Sequence, residues 1–287
     1  LPFPDSTAPA IDALQAIFSS YVRDLLMADV GVRRELPDAV HQMRVACRRL
    51  RSALKTFRPL LDDDSVTYLR DELQWLASEL GEVRDTEVQR VRLCKLSDDA
   101  DTTSFIAETL DARLRAATSS ALAALRTDRH DYLIEDLILL VSEPPVTAAA
   151  FNPASQQLPA CVAQPWKRLK KSVGKASVDG PAEKWHDVRI RAKQARYAAE
   201  AAAPVLGDTF TRLGKSLAKA TDILGNRQDA HVASLVLRDL AQQAPGAVAY
   251  RLGIITAHNE IAGTQDIQDF LHRWPDIVHR AKEAGLD

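Results

Sequence analysis

An all-α fold is what this sequence predicts, and three observations carry the expectation. Apolar residues recur at helical spacing nearly everywhere, as in Ile11, Leu14, Ile17, Phe18, Tyr21, Val22 and Leu25. Strand-like alternation is absent. The composition, 46% hydrophobic and 26% charged with 11 Gly and 14 Pro, suits a helical chain with ample side chains for a core.

Taken in order, the set beginning at Ile11 defines a first amphipathic helix. Pro37 interrupts the pattern, and a second helix runs through "VHQMRVACRRLRSALKTF", Val40 to Phe57. Pro59 and the aspartate run Asp62 to Asp64 separate it from the helices that lead to and follow "LGEVRD", Leu80 to Asp85. The segment "SEPPVTAAAFNPASQQLP", Ser142 to Pro159, holds four prolines and a single charge, as a linker would. Beyond it a helix carries Lys167, Arg168, Lys170 and Lys171. Pro181 precedes the next, which contains "WHDVRIRAKQARYAAE", and Pro204 with Gly207 interrupts the chain before "LGNRQD", Leu224 to Asp229. About ten helices are expected in all.

The two sides of the Pro-rich segment carry one pattern twice. His41, Arg44, Val45, Arg48 and Arg51 fall opposite His186, Arg189, Ile190, Lys193 and Arg196 at an offset of 145 residues. "LGEVRD" meets "LGNRQD" at 144, and Tyr21 and Arg23 meet Trp166 and Arg168 at 145 again. Three matches in one register point to an internal duplication: residues 8–141 form one helical bundle repeat, 142–159 join them, and 160–285 form the other.

Each repeat carries a basic stripe. His41, Arg44, Arg48, Arg51 and Lys55 alternate in steps of three and four, which aligns them on one helix face over about 21 Å. Val40, Met43, Ala46, Cys47, Leu50, Ala53, Leu54 and Phe57 make the opposite, apolar face. His186, Arg189, Lys193 and Arg196 repeat the spacing, accompanied by Trp185, Val188, Ile190, Ala192, Ala195 and Ala199. Like charges at i and i+4 destabilise a helix by about 0.2–0.5 kcal/mol per pair, and nothing adjacent in the sequence offsets this. One such stripe is most simply a solvated face, screened by acids such as Asp62 to Asp64, Glu79 and Glu82. Two in register, each led by a histidine, fit a polyanion lying along both, because arginine forks hold phosphate oxygens bidentately. The formal net charge is only -2, so the field must come from segregated charge. Arg49 and Arg58 sit off the main stripe, and Lys167 and Lys170 add a second basic cluster. The register also has breaks: Glu200 stands where the first stripe has Lys55, and Gln194 where it has Arg49.

These paired motifs resemble the conserved histidine α-helical domain, CHAD, over essentially the whole chain from about Ala8 to Ala284. The resemblance implies two four-helix bundles related by pseudo-twofold symmetry, with a basic surface and channel for inorganic polyphosphate. It implies His41, Arg44, Arg48, Arg51, His186, Arg189, Lys193 and Arg196 as ligand-facing positions; the charge pattern itself adds Lys55 on the stripe, with Arg49, Lys167 and Lys170 beside it. It further implies no catalysis by the domain itself, no cofactor, and an attached or associated CYTH-type triphosphatase domain. Association with polyphosphate granules goes with the same likeness, while a cytoplasmic location is expected because the opening "LPFPDSTAPA" lacks a basic leader and a short apolar core and no apolar run would span a bilayer.

Rival readings are weaker. Asp38 with His41 and Glu183 with His186 form acid-x-x-His pairs of the kind used in di-iron bundles, but both acids fall in an expected first helical turn, where the helix dipole favours a carboxylate without metal. Arg44 and Arg189 would also repel a cation. Nucleic acid competes for any basic groove, yet the stripes offer few aromatic rings beyond the flanking Tyr197 and Trp185. Cys47, Cys94 and Cys161 lack metal-site spacing and are expected as buried small side chains. No GxxxxGK[ST], GxSxG or HExxH motif occurs. No apolar run approaches the roughly 20 residues that span a bilayer. The opening "LPFPDSTAPA", without an initiator Met, is what a domain cut from a longer chain would show. Gly81 and Gly225 are expected at helix breaks or close packing, and Asp85 and Asp229 as caps or bridges to the stripes.

Overall fold

The computed structural model describes residues 2–178, 180–261 and 266–286 of the chain; the side chains of Asn226, Arg227 and Gln228 in "LGNRQD" lie outside the described residues. The described chain is helical, with no strand. Its α-helices are α1 Ala10–Arg33, α2 Ala39–Thr56, α3 Asp63–Glu79, α4 Gly81–Leu96, α5 Ala100–Ala124, α6 Asp128–Ser142, α7 Ala154–Val173, α8 Ala182–Leu206, α9 Asp208–Gln243, α10 Gly246–Ile261 and α11 Asp266–Glu283.

Local chemistry sets several of these boundaries. Part of the aspartate run that interrupts the pattern after Pro59 starts α3: the Asp62 side chain accepts from the Ser65 backbone N–H at 3.0 Å, and Asp63 and Asp64 sit in the first turn, where the helix dipole favours them. Asp99 and Thr127 cap α5 and α6 in the same way. Gly207, at φ +86°, ends α8 in a backbone conformation that favours glycine. Pro204 does not end that helix as expected; it lies inside the last turn, where its missing N–H leaves only one carbonyl without its helical partner. Pro159 and Pro165 are likewise accommodated within α7.

The helix order repeats along the chain. α1, α2, α3 and α5 begin at residues 10, 39, 63 and 100, and α7, α8, α9 and α10 at 154, 182, 208 and 246. The halves part company at one place, because α3 and α4 are separated at Leu80 while α9 runs unbroken through the corresponding residues. Gly81 therefore marks a helix break and Gly225 does not. The Pro-rich connection is shorter than 142–159, since α7 has begun by Ala154, and it is fixed in place. Asp62 N–H donates to the Pro145 carbonyl, Thr147 N–H to Leu60, and Ala154 N–H to Ala8.

One apolar cluster unites the halves. From α2 it takes Met43, Ala46, Cys47, Leu50, Ala53 and Leu54, and from α8 Trp185, Val188, Ala192, Ala195 and Ala199. Ile190, expected with that second set, is instead exposed. Cys47 and Cys161 are buried and Cys94 is half-buried; burial pushes the Cys47 thiol up to about 12. A smaller cluster joins Leu93, Ile106 and Leu110 of α4 and α5 to Ala233, Leu237, Leu240, Val248 and Leu252 of α9 and α10. Between the two clusters, α2 and α8 pack against each other with their basic edges adjacent.

Candidate anion-binding groove

A cavity of about 650 Å³ opens beside α2, between the two apolar clusters. Arg44, Arg48 and Arg51 line one wall. Residues of α3 and α4, among them Gln74, Ser78, Gly81 and Asp85, line the next, and Arg113 of α5 with Val232 and Val236 of α9 complete it. None of the described lining residues is aromatic. The spacing of three and four that aligns these arginines in sequence thus puts three of them into one concavity.

The second stripe meets the first at Arg48. Arg48 Nε donates to the Tyr197 hydroxyl at 2.6 Å, and its guanidinium stands 5.5 Å from the centre of that ring. Arg196 approaches the same ring at 5.7 Å. Lys193 lies among these groups. Burial first, then the charges of Arg189, Arg48 and Arg196, push its ammonium down to about 8, while Asp229 alone pulls the other way. A freely solvated lysine would keep its ordinary value, so this part of the stripe is not a set of side chains splayed into water.

The cations differ in what already holds them. Arg44 Nη1 donates to the Gly81 carbonyl at 2.5 Å and to Leu80 at 3.4 Å, and it meets Asp85 Oδ1 at 3.3 Å. It ties α2 to the α3–α4 junction through these carbonyls, of which Leu80 also accepts from the Arg84 N–H at 3.3 Å, so it is an anchor as well as part of the wall. Asp85 bridges to the stripe as expected. Arg196 is held by Glu200 at 2.6 Å, Thr221 at 3.1 Å and Asp222 at 3.7 Å. By contrast, Nε of Arg51, Arg70 and Arg189 is buried without a hydrogen-bond partner, and a buried donor so placed calls for an acceptor that the protein does not supply.

Other expected residues lie apart. Arg49 turns toward α1, 3.7 Å from Asp24 and 5.9 Å from the Tyr21 ring centre, and lines a different surface. Lys167 and Lys170 are exposed on α7, whereas Arg168 between them lines a second cavity with Lys55. His186 is exposed and His41 half-buried. Burial and the nearby Arg84 lower the His41 pKa, against a smaller opposing pull from Asp38. Arg70, Arg84, Arg113, Arg168 and Arg191 were not marked by any stripe. Arg84 lies within "LGEVRD", Arg191 within the second histidine motif, and Arg168 in the basic cluster of α7 and in the match with Arg23, so only Arg70 and Arg113 had no sequence signal.

Asp38 and Glu87 act on His41 from a distance, against the opposing charges of Arg84 and Arg48. Asp38 is the N-cap of α2 at φ +62°, not a first-turn residue, and its Oδ2 accepts from Gln42 Nε2 at 2.7 Å. Glu183 is exposed in the first turn of α8. Among the described residues no three His, Cys, Asp or Glu side chains lie together as a metal site would need.

The chain is similar to known proteins along most of its length. A family model described as the CHAD domain matches residues 16–238. The crystal structure of the CHAD domain from the plant Ricinus communis superposes with a TM-score of 0.78 at 28% identity, covering 94% of each chain. PptA from Streptomyces chartreusis superposes with a TM-score of 0.76 at 25% identity, covering 93% of this chain and 100% of that one. Two proteins of Mycobacterium tuberculosis, uncharacterized protein MT2285 of strain CDC 1551 and uncharacterized protein Rv2226 of strain H37Rv, are each 28% identical over 268 residues, or 88% of this chain. The chain spans about half the length of these curated relatives, 50% of each.

Proposed function

We propose that this chain, which belongs to the CHAD domain family, binds inorganic polyphosphate in the groove beside α2 and catalyses no reaction on it. One observation carries the reading. Arg48 and Arg51 line a concavity without aromatic rings, Lys193 and Arg189 stand beside Arg48, and the buried Nε atoms of Arg51 and Arg189 lack acceptors. Phosphate oxygens would accept from the outer guanidinium and ammonium N–H groups of these residues and relieve the repulsion among the cations.

Among the described residues that line the cavity none is aromatic, and the Tyr197 ring beside Arg48 is already engaged by Arg48 and Arg196, which favours a ligand without bases, since sequence-tolerant nucleic-acid grooves rely on stacking. The groove offers apolar Leu110, Val232 and Val236 where such a binder would place rings. An attached or associated CYTH-type triphosphatase, and recruitment to polyphosphate granules, belong to this proposal. They are supported by the family likeness, and the curated relatives have as much length again outside the matched portion.

Replacing Arg48, Arg189 and Lys193 together by Ala tests the site. Polyphosphate binding by fluorescence anisotropy should be lost, with helicity by circular dichroism kept, because these three make few of the fold's hydrogen bonds. Undiminished binding would mean that the ligand lies elsewhere.

A further inference from the structure

We infer that a second anion subsite, built around Lys55 and Arg168 between α2, α7 and α8, lies one helical turn past Arg51 and holds the trailing phosphates of a long chain. The inference rests on the polyphosphate reading above and adds a length requirement to it.

Three observations support it. The first is a cavity of about 250 Å³ lined by Lys55, Arg168, Gln164 and Gln194, with the hydroxyls of Ser52 and Thr56. Lys55 stands one helical turn beyond Arg51, which lines the main groove, so the two concavities neighbour each other along α2. The second is the balance of charge. The groups acting most strongly on Lys55 are Arg70, Arg168, Arg191 and Arg51, all cations, drawn from α3, α7, α8 and α2. Arg191 is paired with Asp187 at 2.7 Å, and the acid at the cavity wall, Asp63, is taken by Arg58. Asp71 faces Arg51 from α3. Lys55 and Arg168 have no carboxylate partner among the described residues, and Arg70 Nε is buried without an acceptor. Gln164 and Gln194 add amide donors of the kind that hold a phosphate oxygen without requiring a counter-charge.

The third observation is what the other repeat does at the matching place. Glu200 occupies the position of Lys55 and takes Arg196 at 2.6 Å, with Asp222 at 3.7 Å from the same guanidinium. Gly214 packs directly against Glu200, so that a Cβ there would stand 3.2 Å from its Cγ. That end of the stripe is neutralised and closed, whereas the Lys55 end is left positive and hollow. A polyanion seated on Arg48 and Arg51 meets cations without carboxylate partners toward Lys55 and Arg168, and an already paired guanidinium toward Glu200.

The test compares wild type with Arg168→Ala and Arg168→Glu, using tripolyphosphate and a long polyphosphate, by isothermal titration at two salt concentrations. Arg168 is exposed, so both variants should keep the melting temperature. For the long chain, R168A should weaken binding about tenfold and R168E about a hundredfold, and R168A should reduce the log–log salt slope by about 0.7. Tripolyphosphate, held in the main groove, should change less than about threefold. If wild type binds the long chain and R168E binds it equally well, the second subsite is refuted while the groove stands. If R168E weakens both ligands alike, Arg168 acts through general charge and the subsite is also refuted. If wild type binds neither ligand, the polyphosphate reading itself falls.

Discussion

Replacing Lys193 by Met should make the free protein more stable and the binding weaker. The structure supplies the magnitude. Burial and the neighbouring Arg189, Arg48 and Arg196 hold the Lys193 pKa at about 8, below the ordinary 10.5, with only Asp229 on α9 opposing them. Each unit of that gap is worth about 1.4 kcal/mol, so the charged lysine costs the fold about 3 kcal/mol. The sign follows from proton counts. Between pH 8 and 10.5 the unfolded chain holds the proton that the folded chain has lost, so this residue's contribution to stability rises with pH across that window; below pH 8 both states are protonated and the full cost applies. Met fills the same space without charge, and after losing the attraction of Asp229 it should gain about 1–3 kcal/mol at pH 7. The gain should fade toward zero by about pH 10. Urea unfolding at pH 7 and 9.5, with equal m-values for the two proteins, measures it. Affinity for polyphosphate should fall about tenfold at pH 7. A K193M protein no more stable than wild type at pH 7, or stabilised equally at both pH values, would refute the idea that these cations are held together against their repulsion.

Arg44→Ala should separate anchoring from binding. Loss of its bonds to Gly81 and Asp85 should cost about 1.5–3 kcal/mol and several degrees of melting temperature, whereas Arg51→Ala, which surrenders no protein hydrogen bond, should leave the melting temperature nearly unchanged and still weaken binding. Burial and the nearby Arg84 lower the His41 pKa, so polyphosphate affinity followed from about pH 8 to 7 should owe little to its protonation. A rise in affinity over that range that disappears in His41→Ala would instead bring the imidazole to the ligand.

The periodicity made the helices legible, and charge spacing made the stripes legible, because both are properties of one helix at a time. What Arg44 does was not legible, since the packing of α2 on the α3–α4 junction brings it to Leu80, Gly81 and Asp85, and the same two letters at Leu224 and Gly225 sit in an unbroken helix. Pro204 reads as a breaker, yet a helix about to end at Gly207 tolerates it. Arg70, Arg168 and Arg191 fall on no stripe. They reach Lys55 from three different helices, an arrangement that tertiary packing alone creates. Arg49 shows the reverse: it neighbours Arg48 in sequence, but its side of α2 faces α1 and Asp24.

Direct competition between long-chain polyphosphate and a single-stranded RNA, titrated against the wild-type protein at two salt concentrations, tests the central claim most directly. Polyphosphate should displace the RNA at equal phosphate concentration, and its affinity should fall with salt at a log–log slope of about 3 or more, as expected when some five cations release counterions. RNA that resists displacement, or a polyphosphate affinity nearly indifferent to salt, would contradict the assignment of this groove to polyphosphate.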